Sequence, residues 1–83
     1  MTSPELRRTI DALWRMESPR LIASLTRMLR DVGLAEDMAQ EALVAALERW
    51  PRDGVPDNPA AWLMTTARRR AIDRLRQRQL HHD

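Results

Sequence analysis

The chain contains no cysteine, lysine or tyrosine, and it has no long uninterrupted apolar run. The absence of cysteine excludes a disulfide framework and thiolate metal sites. No apolar segment approaches the ~20 residues that a membrane-spanning helix needs, and no signal-peptide pattern opens the sequence. We therefore expect a protein of the reducing cytoplasm that has no membrane partner.

The composition indicates one small folded domain. Hydrophobic residues make up 43% of the 83 residues, which argues against disorder. We predict a single domain over residues 1–80 and a frayed tail over residues 81–83. His81 and His82 stand side by side in that tail, where adjacent histidines are more often a terminal remnant than a metal site. We assign no metal and no cofactor.

Helix start and stop signals punctuate the sequence and predict an all-α fold, a small bundle of three to four helices. Ser3 before Pro4 is typical of a helix start. Ser18 and Pro19 repeat that signal, so Pro19 either separates two helices or kinks one long helix. The apolar stripe that follows Pro19 predicts a helix ending at Gly33.

Two further helices are predicted, one from about residue 35 to Trp50 and one from Pro59 to residue 80. Glu36 lies in the expected first turn of the former, where an acid stabilises the helix dipole, and Pro51 lies just beyond its end. Asn58 is the expected N-cap of the latter. Helical periodicity places two apolar faces inward: Ala39, Ala42, Leu43, Ala46, Leu47 and Trp50 in the former, and Ala60, Leu63, Met64, Ala67, Ala71 and Leu75 in the latter, with Ile72 at its margin.

Charge is segregated between these two helices. Residues 34–50 hold four acids and one arginine, a charge of −3, whereas residues 59–80 hold six arginines and one aspartate, a charge of +5. The outward side of the former collects Asp37, Gln40, Glu41, Val44 and Glu48. Such segregation predicts two different partners.

The last helix also carries an aromatic residue among its arginines. Trp62 is expected to project away from the core in a row with Thr66, Arg69, Asp73 and Arg76. An indole can stack on a base and arginine can contact phosphate or guanine, so this row suits nucleic acid. Two alternatives stay open: Trp62 folds back onto the loop as partial core, and Asp73 simply pairs with a nearby arginine. Trp14 and Trp50 are expected to be core anchors.

Four short motifs resemble a known family when they are taken together. They are Pro19-Arg20-Leu21, Asp37-Met38-Ala39-Gln40-Glu41, Trp62-Leu63, and the run from Ala67 through Arg69 and Ala71 to Asp73. Their order and spacing resemble region 2 of bacterial sigma factors, and more closely the extracytoplasmic-function (ECF) group. The resemblance covers roughly residues 10–78.

The resemblance implies a transcription initiation factor domain that is not an enzyme. In such a domain Asp37, Gln40, Glu41 and Val44 would bind the beta-prime clamp-helix coiled coil of the RNA polymerase core. Promoter −10 DNA, including its single-stranded non-template strand, would be bound by Trp62, Thr66, Arg69, Arg70, Asp73, Arg74 and Arg76. The loop residues Asp53, Gly54, Val55, Pro56, Asp57 and Asn58 would lie at the pocket for a flipped base. An anti-sigma protein is a further partner that the family suggests.

Two departures from the family pattern bear on this interpretation. Arg69 stands where the family commonly has asparagine, so base preference at that position is open. A complete ECF sigma factor also has a later helix-turn-helix region for the −35 element, and we expect this chain to be an excised domain. Two other classes remain as alternatives: a nonspecific arginine-rich nucleic-acid binder, and a protein-interaction bundle whose basic helix rests on acidic lipid.

Overall fold

The computed structural model describes residues 2–81, with side chains described as far as Leu80. It contains three helices: α1 (Pro4–Leu29), α2 (Val32–Asp53) and α3 (Pro59–His81). Residues 2–81 include no strand, so the prediction of an all-α bundle is confirmed, with three helices. Of the predicted tail, His81 ends α3, and His82 and Asp83 lie outside the described residues. None of the helices described is long and apolar enough to cross a membrane.

α1 passes through Pro19 as one continuous helix. It begins where the sequence predicts, because the Ser3 hydroxyl accepts a 3.1 Å hydrogen bond from the backbone N–H of Leu6 and Pro4 opens the first turn. A proline inside a helix has no N–H to offer the carbonyl one turn earlier. The remaining hydrogen bonds and the packing of α1 hold the helix together across that gap, so Pro19 does not separate two elements.

The boundary between α1 and α2 lies at Arg30 and Asp31, and the predicted helix end at Gly33 is wrong. Arg30 adopts a left-handed conformation with φ 55°, and its N–H donates a 2.7 Å hydrogen bond to the carbonyl of Thr26. The Asp31 carboxylate then accepts a 3.0 Å hydrogen bond from the N–H of Leu34. Because Asp31 caps α2 so closely behind Arg30, the glycine already lies in the first turn of the next helix.

α2 extends beyond its predicted ends in both directions. Since it begins at Val32, Glu36 lies past the first turn, and the acid that stabilises this helix end is the cap Asp31. The helix also continues through Pro51 to residue 53, so Pro51 does not follow the helix end as predicted. Gly54, at φ 87°, closes the helix with a 2.9 Å hydrogen bond from its N–H to the carbonyl of Trp50. The connecting loop is therefore residues 54–58, and Asp53, predicted to lie in it, is helical.

α3 begins at the predicted cap. The Asn58 side-chain oxygen accepts a 3.1 Å hydrogen bond from the N–H of Ala61, and Pro59 occupies the first helical position. Because the Asn58 carbonyl also accepts a hydrogen bond from the Trp62 N–H, at 3.1 Å, the loop is fixed directly to the first turn of α3.

The core is built around α2, which packs against both neighbours. Its buried residues are Leu34, Ala35, Met38, Ala39, Ala42, Ala45, Ala46 and Trp50. All of these except Ala45 form one cluster with Ile10, Leu21 and Leu25 of α1 and Leu63, Ala67 and Ala71 of α3. Most of these α2 residues are alanines, whose small side chains let the helices approach closely. Trp50 is 2% exposed, as expected of a core anchor, whereas Trp14 is half-buried at the edge of the core.

The last turns of α3 are not covered by the bundle. Leu75, predicted to face inward, is 39% exposed, and Ile72 is 43% exposed. The molecule measures 46 × 23 × 19 Å, which fits a helix whose end extends past its partners. The periodicity of α3 correctly marks its apolar side, but neither α1 nor α2 reaches far enough to bury the end of it.

Candidate polymerase and nucleic-acid interfaces

The arginines of α3 lie along the surface of the bundle. The exposed ones are Arg68, Arg69, Arg70, Arg76 and Arg78, and Arg74 is half-buried. Because Arg68, Arg69 and Arg70 are consecutive, they lie on different sides of α3, so the arginines spread positive charge around the exposed sides of the helix, where an anionic partner can reach it.

Two of these arginines are bound to one acid on α2. Glu41 accepts a 2.9 Å hydrogen bond through Oε2 from Nη2 of Arg74, and its Oε1 lies 3.5 Å from Nη1 of Arg70. Arg70 and Arg74 are one helical turn apart and repel each other, so a carboxylate placed between them stabilises both. The structure therefore joins a predicted polymerase-binding residue to two predicted DNA-binding residues.

The rest of the predicted polymerase surface is open. Asp37, Gln40 and Val44 are exposed on α2, and Val44 shows 51% of its surface to solvent. An aliphatic side chain beside an amide and a carboxylate offers both apolar area and hydrogen-bonding groups to a protein partner. Glu41 differs from these three because its side chain is only 33% exposed and its carboxylate is already paired.

Trp62 does not project freely from α3. It packs against the core, and its ring lies edge-on to Trp50 with the ring centroids 5.3 Å apart and the ring planes at 67°. The sequence left open whether Trp62 projects from the bundle or folds back as partial core. The structure shows partial burial, because Trp50, near the end of α2, offers an apolar surface against which the Trp62 ring packs. The remaining surface of Trp62 is still available for contact.

A polar cleft runs along the seam between α2 and α3, with a volume of about 170 Å³. Its lining combines part of the predicted DNA row with two residues of α2: Ala45, Arg49, Thr66, Arg69, Arg70 and Asp73. Among the described residues, ion pairs within 4.0 Å join Arg7 to Asp11 and Glu41 to Arg70 and Arg74. The alternative that Asp73 pairs with a nearby arginine is therefore not observed.

The loop before α3 borders a second cleft, of about 340 Å³, between α1 and the first turns of α3. Of the predicted flipped-base loop, Asn58 alone lines it, together with Glu17 and Arg20 of α1 and apolar residues of α3. The loop residues Gly54, Val55 and Asp57 are exposed and Pro56 is half-buried. The structure thus keeps one end of the predicted loop at a cleft and leaves the remainder on the surface.

Comparison with known families agrees with this arrangement of helices. The family model for sigma-70 region 2 matches residues 13–81, which include most of α1 and all of α2 and α3. The chain belongs to the sigma-70 region 2 family. Among curated relatives, ECF RNA polymerase sigma factor SigK of Mycobacterium sp. (strain KMS) is 38% identical over 72 residues, covering 82% of this chain. SigK of Mycobacterium ulcerans (strain Agy99) is 41% identical over 64 residues, covering 72% of the chain.

These relatives identify the domain as the region 2 type of ECF sigma factors, a group of non-enzymatic transcription initiation factors. The chain spans about a third of the SigK proteins, 36% and 33% of their lengths. An uncharacterized protein of Rhizobium meliloti (strain 1021) is 44% identical over 59 residues, which cover 71% of this chain and 14% of that protein. No solved structure matches the chain.

Sequence reasoning missed Arg49 at the first cleft of this sigma-70 region 2 domain, and Glu17 and Arg20 at the second. Arg49 lies on the acidic helix next to the core residue Trp50, and it belongs to none of the family motifs. A signal was nevertheless present. Arg49 follows Ala42 and Ala45 at helical spacing, on the side of α2 that packs against α3, so it could have been placed on the seam.

Proposed function

We propose that this sigma-70 region 2 domain connects the RNA polymerase core to the promoter −10 element. In this proposal the exposed surface formed by Asp37, Gln40 and Val44 docks on the beta-prime clamp-helix coiled coil, and α3 binds the promoter. The observation that carries the proposal is the placement of these two surfaces on adjacent rigid helices, one acidic with exposed aliphatic area and one lined with arginines.

Docking through α2 fits the chemistry of that surface. Val44 supplies apolar area, and the amide of Gln40 offers a donor and an acceptor that are free to reach a partner helix. A helix surface of this type packs readily along a coiled coil. Glu41 would stay partly engaged with α3, so we assign the leading polymerase contacts to its three exposed neighbours.

On the DNA side, the arginines supply affinity and the neighbouring groups supply base contacts. Arginine–phosphate contacts release counterions and are weakened by salt. Trp62, held edge-on by Trp50, would offer its remaining surface to a base without losing much side-chain freedom. Because Trp62 is half-buried, its ring is restricted to one orientation. This favours contact with a base at the upstream edge of the melted DNA over insertion deep into the duplex.

The cleft beside Asn58 is our candidate for the flipped base. The Asn58 side-chain oxygen caps α3, so its amide nitrogen remains as a donor, while Glu17 and Arg20 add an acceptor and further donors. The edge of a base carries both donors and acceptors, so its recognition needs protein groups of both kinds. Asp53, which belongs to α2, would contribute only from the rim.

Such a domain would melt the promoter by binding alone. Extruding a base costs a few kcal/mol, and stacking on an aromatic side chain returns about 1–3 kcal/mol per base, with phosphate contacts adding to this at low salt. Capture of the exposed strand therefore shifts the duplex equilibrium toward the open form. The polymerase would supply the chemistry of RNA synthesis.

Two binding measurements test the proposal. Immobilised beta-prime coiled-coil fragment should retain the domain, and a selection from random single-stranded oligonucleotides should return a preferred sequence at raised salt. A domain that binds DNA without any sequence preference once salt is raised, and that does not bind the coiled coil, would instead be a nonspecific arginine-rich binder.

A further inference from the structure

The polar cleft between α2 and α3 has the composition of an anion site. Three of its six lining residues are arginines and one is an aspartate, so its formal charge is +2. Its volume of about 170 Å³ is several times the ~30 Å³ that one water occupies in the liquid, which leaves room for a tetrahedral anion. Ala45 is 5% exposed and carries only a methyl group, so the space above it stays open.

Arg49 gives this cleft a second wall. It is exposed on α2, whereas Arg69 and Arg70 belong to α3, so arginines of two helices line the cleft. Among the described residues Arg49 forms no ion pair, and its donors are therefore available to a ligand. Arg70 shares one donor with Glu41 at 3.5 Å, but a guanidinium has five N–H groups and keeps most of them free.

We propose that this cleft binds a phosphate group, held by Arg49 of α2 and by Arg69 and Arg70 of α3, and that the group is a backbone phosphate of the bound DNA. Arginine matches phosphate because two parallel N–H groups can bond two oxygens. The Thr66 hydroxyl adds a neutral donor. The inference rests on the proposed function and extends its DNA surface from α3 onto α2.

The same assignment gives Arg69 a role that asparagine would not have. A short amide suits hydrogen bonds to a base edge, whereas a long guanidinium beside Arg49 and Arg70 suits an anion. Contacts to phosphate position a protein on DNA and carry no base information by themselves. Arg69 therefore contributes affinity in this domain, and its position contributes little to sequence preference.

Salt dependence of binding tests the site. We would compare the unaltered domain with Arg49→Gln and with the matched control Arg8→Gln, which removes an exposed arginine from α1 that does not line the cleft. Fluorescence anisotropy with labelled oligothymidylate would be recorded between about 50 and 200 mM salt. Losing one phosphate contact should flatten the slope of log affinity against log salt by about 0.7 for Arg49→Gln, with no change for Arg8→Gln.

The expected slope has a direct consequence in affinity. Across that fourfold salt range the advantage of the unaltered domain over Arg49→Gln should shrink roughly threefold. The ratio should be the same for oligothymidylate and oligodeoxyadenylate, since a phosphate contact is independent of the base. If Arg49→Gln and Arg8→Gln change the slope equally, Arg49 acts only through its long-range charge and the proposal is overturned. The proposal is also overturned if neither variant changes the slope.

A second measurement separates DNA phosphate from free phosphate. Side-chain NH resonances of Arg49 should shift when oligothymidylate is added, and Arg49→Gln identifies the signal. A shift with inorganic phosphate but none with the oligonucleotide would overturn the DNA assignment. If coiled-coil binding and sequence preference hold while Arg49→Gln has no effect, this inference alone fails; if Arg49→Gln acts as expected but the coiled coil is not bound, the proposed function fails and the phosphate site stands.

Discussion

Glu41 of α2 and Arg74 of α3 are joined by a 2.9 Å hydrogen bond between Oε2 and Nη2, and the same carboxylate reaches Arg70 at 3.5 Å. The two predicted surfaces therefore share a residue. A carboxylate that neutralises the two arginines we propose to face DNA cannot fully engage a polymerase helix at the same time, so occupancy of one proposed surface should influence the other.

The first prediction concerns the charge of Glu41. Glu41→Gln keeps the shape of the side chain but removes the negative charge, so Arg70 and Arg74 should attract phosphate more strongly. We expect single-stranded DNA affinity at low salt to rise about two- to fivefold, and the free energy of unfolding to fall by no more than about 1 kcal/mol, because the pair is partly exposed. Anisotropy and urea unfolding measure the two effects.

Glu48→Gln is the matched control for that change, because Glu48 is an exposed acid of the same helix and forms no ion pair among the described residues. Glu48→Gln should raise the affinity for single-stranded DNA less than Glu41→Gln does. Equal gains in the two variants would show that Glu41 acts only through net charge.

The second prediction concerns Trp62. Because its ring packs on Trp50, Trp62→Ala should lower the free energy of unfolding by about 2 kcal/mol as well as weaken DNA binding. Trp62→Phe keeps an aromatic edge against Trp50 and should recover most of the stability. DNA binding is then compared at a temperature where both variants are folded, and full binding by folded Trp62→Ala would exclude a base contact.

The third prediction separates two acids near the start of α2. The Asp31 carboxylate accepts a hydrogen bond from the Leu34 N–H, whereas Glu36 lies beyond the first turn. Asp31→Ala should therefore cost about 1 kcal/mol of unfolding free energy. Glu36→Ala should change it by less than about 0.5 kcal/mol. Thermal or urea unfolding distinguishes them, and a larger loss for Glu36→Ala would contradict the observed cap.

Much of this fold could be predicted from local signals. The caps at Ser3 and Asn58 are short-range hydrogen bonds, so their residue types are sufficient evidence. The predicted helix boundary near Gly33 was wrong because the backbone of Arg30 takes a left-handed conformation that residues other than glycine rarely adopt. That conformation ends α1 at once and lets Asp31 cap α2. Pro51 was misplaced because packing carries the helix past a residue that usually ends one.

The site was harder to predict because it depends on which helices meet. Periodicity correctly placed Gln40 and Val44 on the surface of α2. It could not show that Glu41 reaches α3, nor that Arg49 lines a cleft with Arg69, because both facts depend on the register between two helices. The burial of Trp62 likewise depends on the position of Trp50 on the neighbouring helix α2.

The most direct test of the two-surface account is the behaviour of Gln40→Lys toward both partners. Gln40 is exposed on α2, and replacing it leaves the bridge between Glu41 and α3 in place, whereas a change at Glu41 would disturb both surfaces. Affinity for the beta-prime coiled-coil fragment and for the selected oligonucleotide would be measured with the same preparation. The account predicts that Gln40→Lys binds the coiled coil more than tenfold more weakly, a loss of about 1.4 kcal/mol or more, and binds the oligonucleotide at least as well as the unaltered domain. Unchanged coiled-coil affinity, or an equal loss toward both partners in a folded variant, would contradict it.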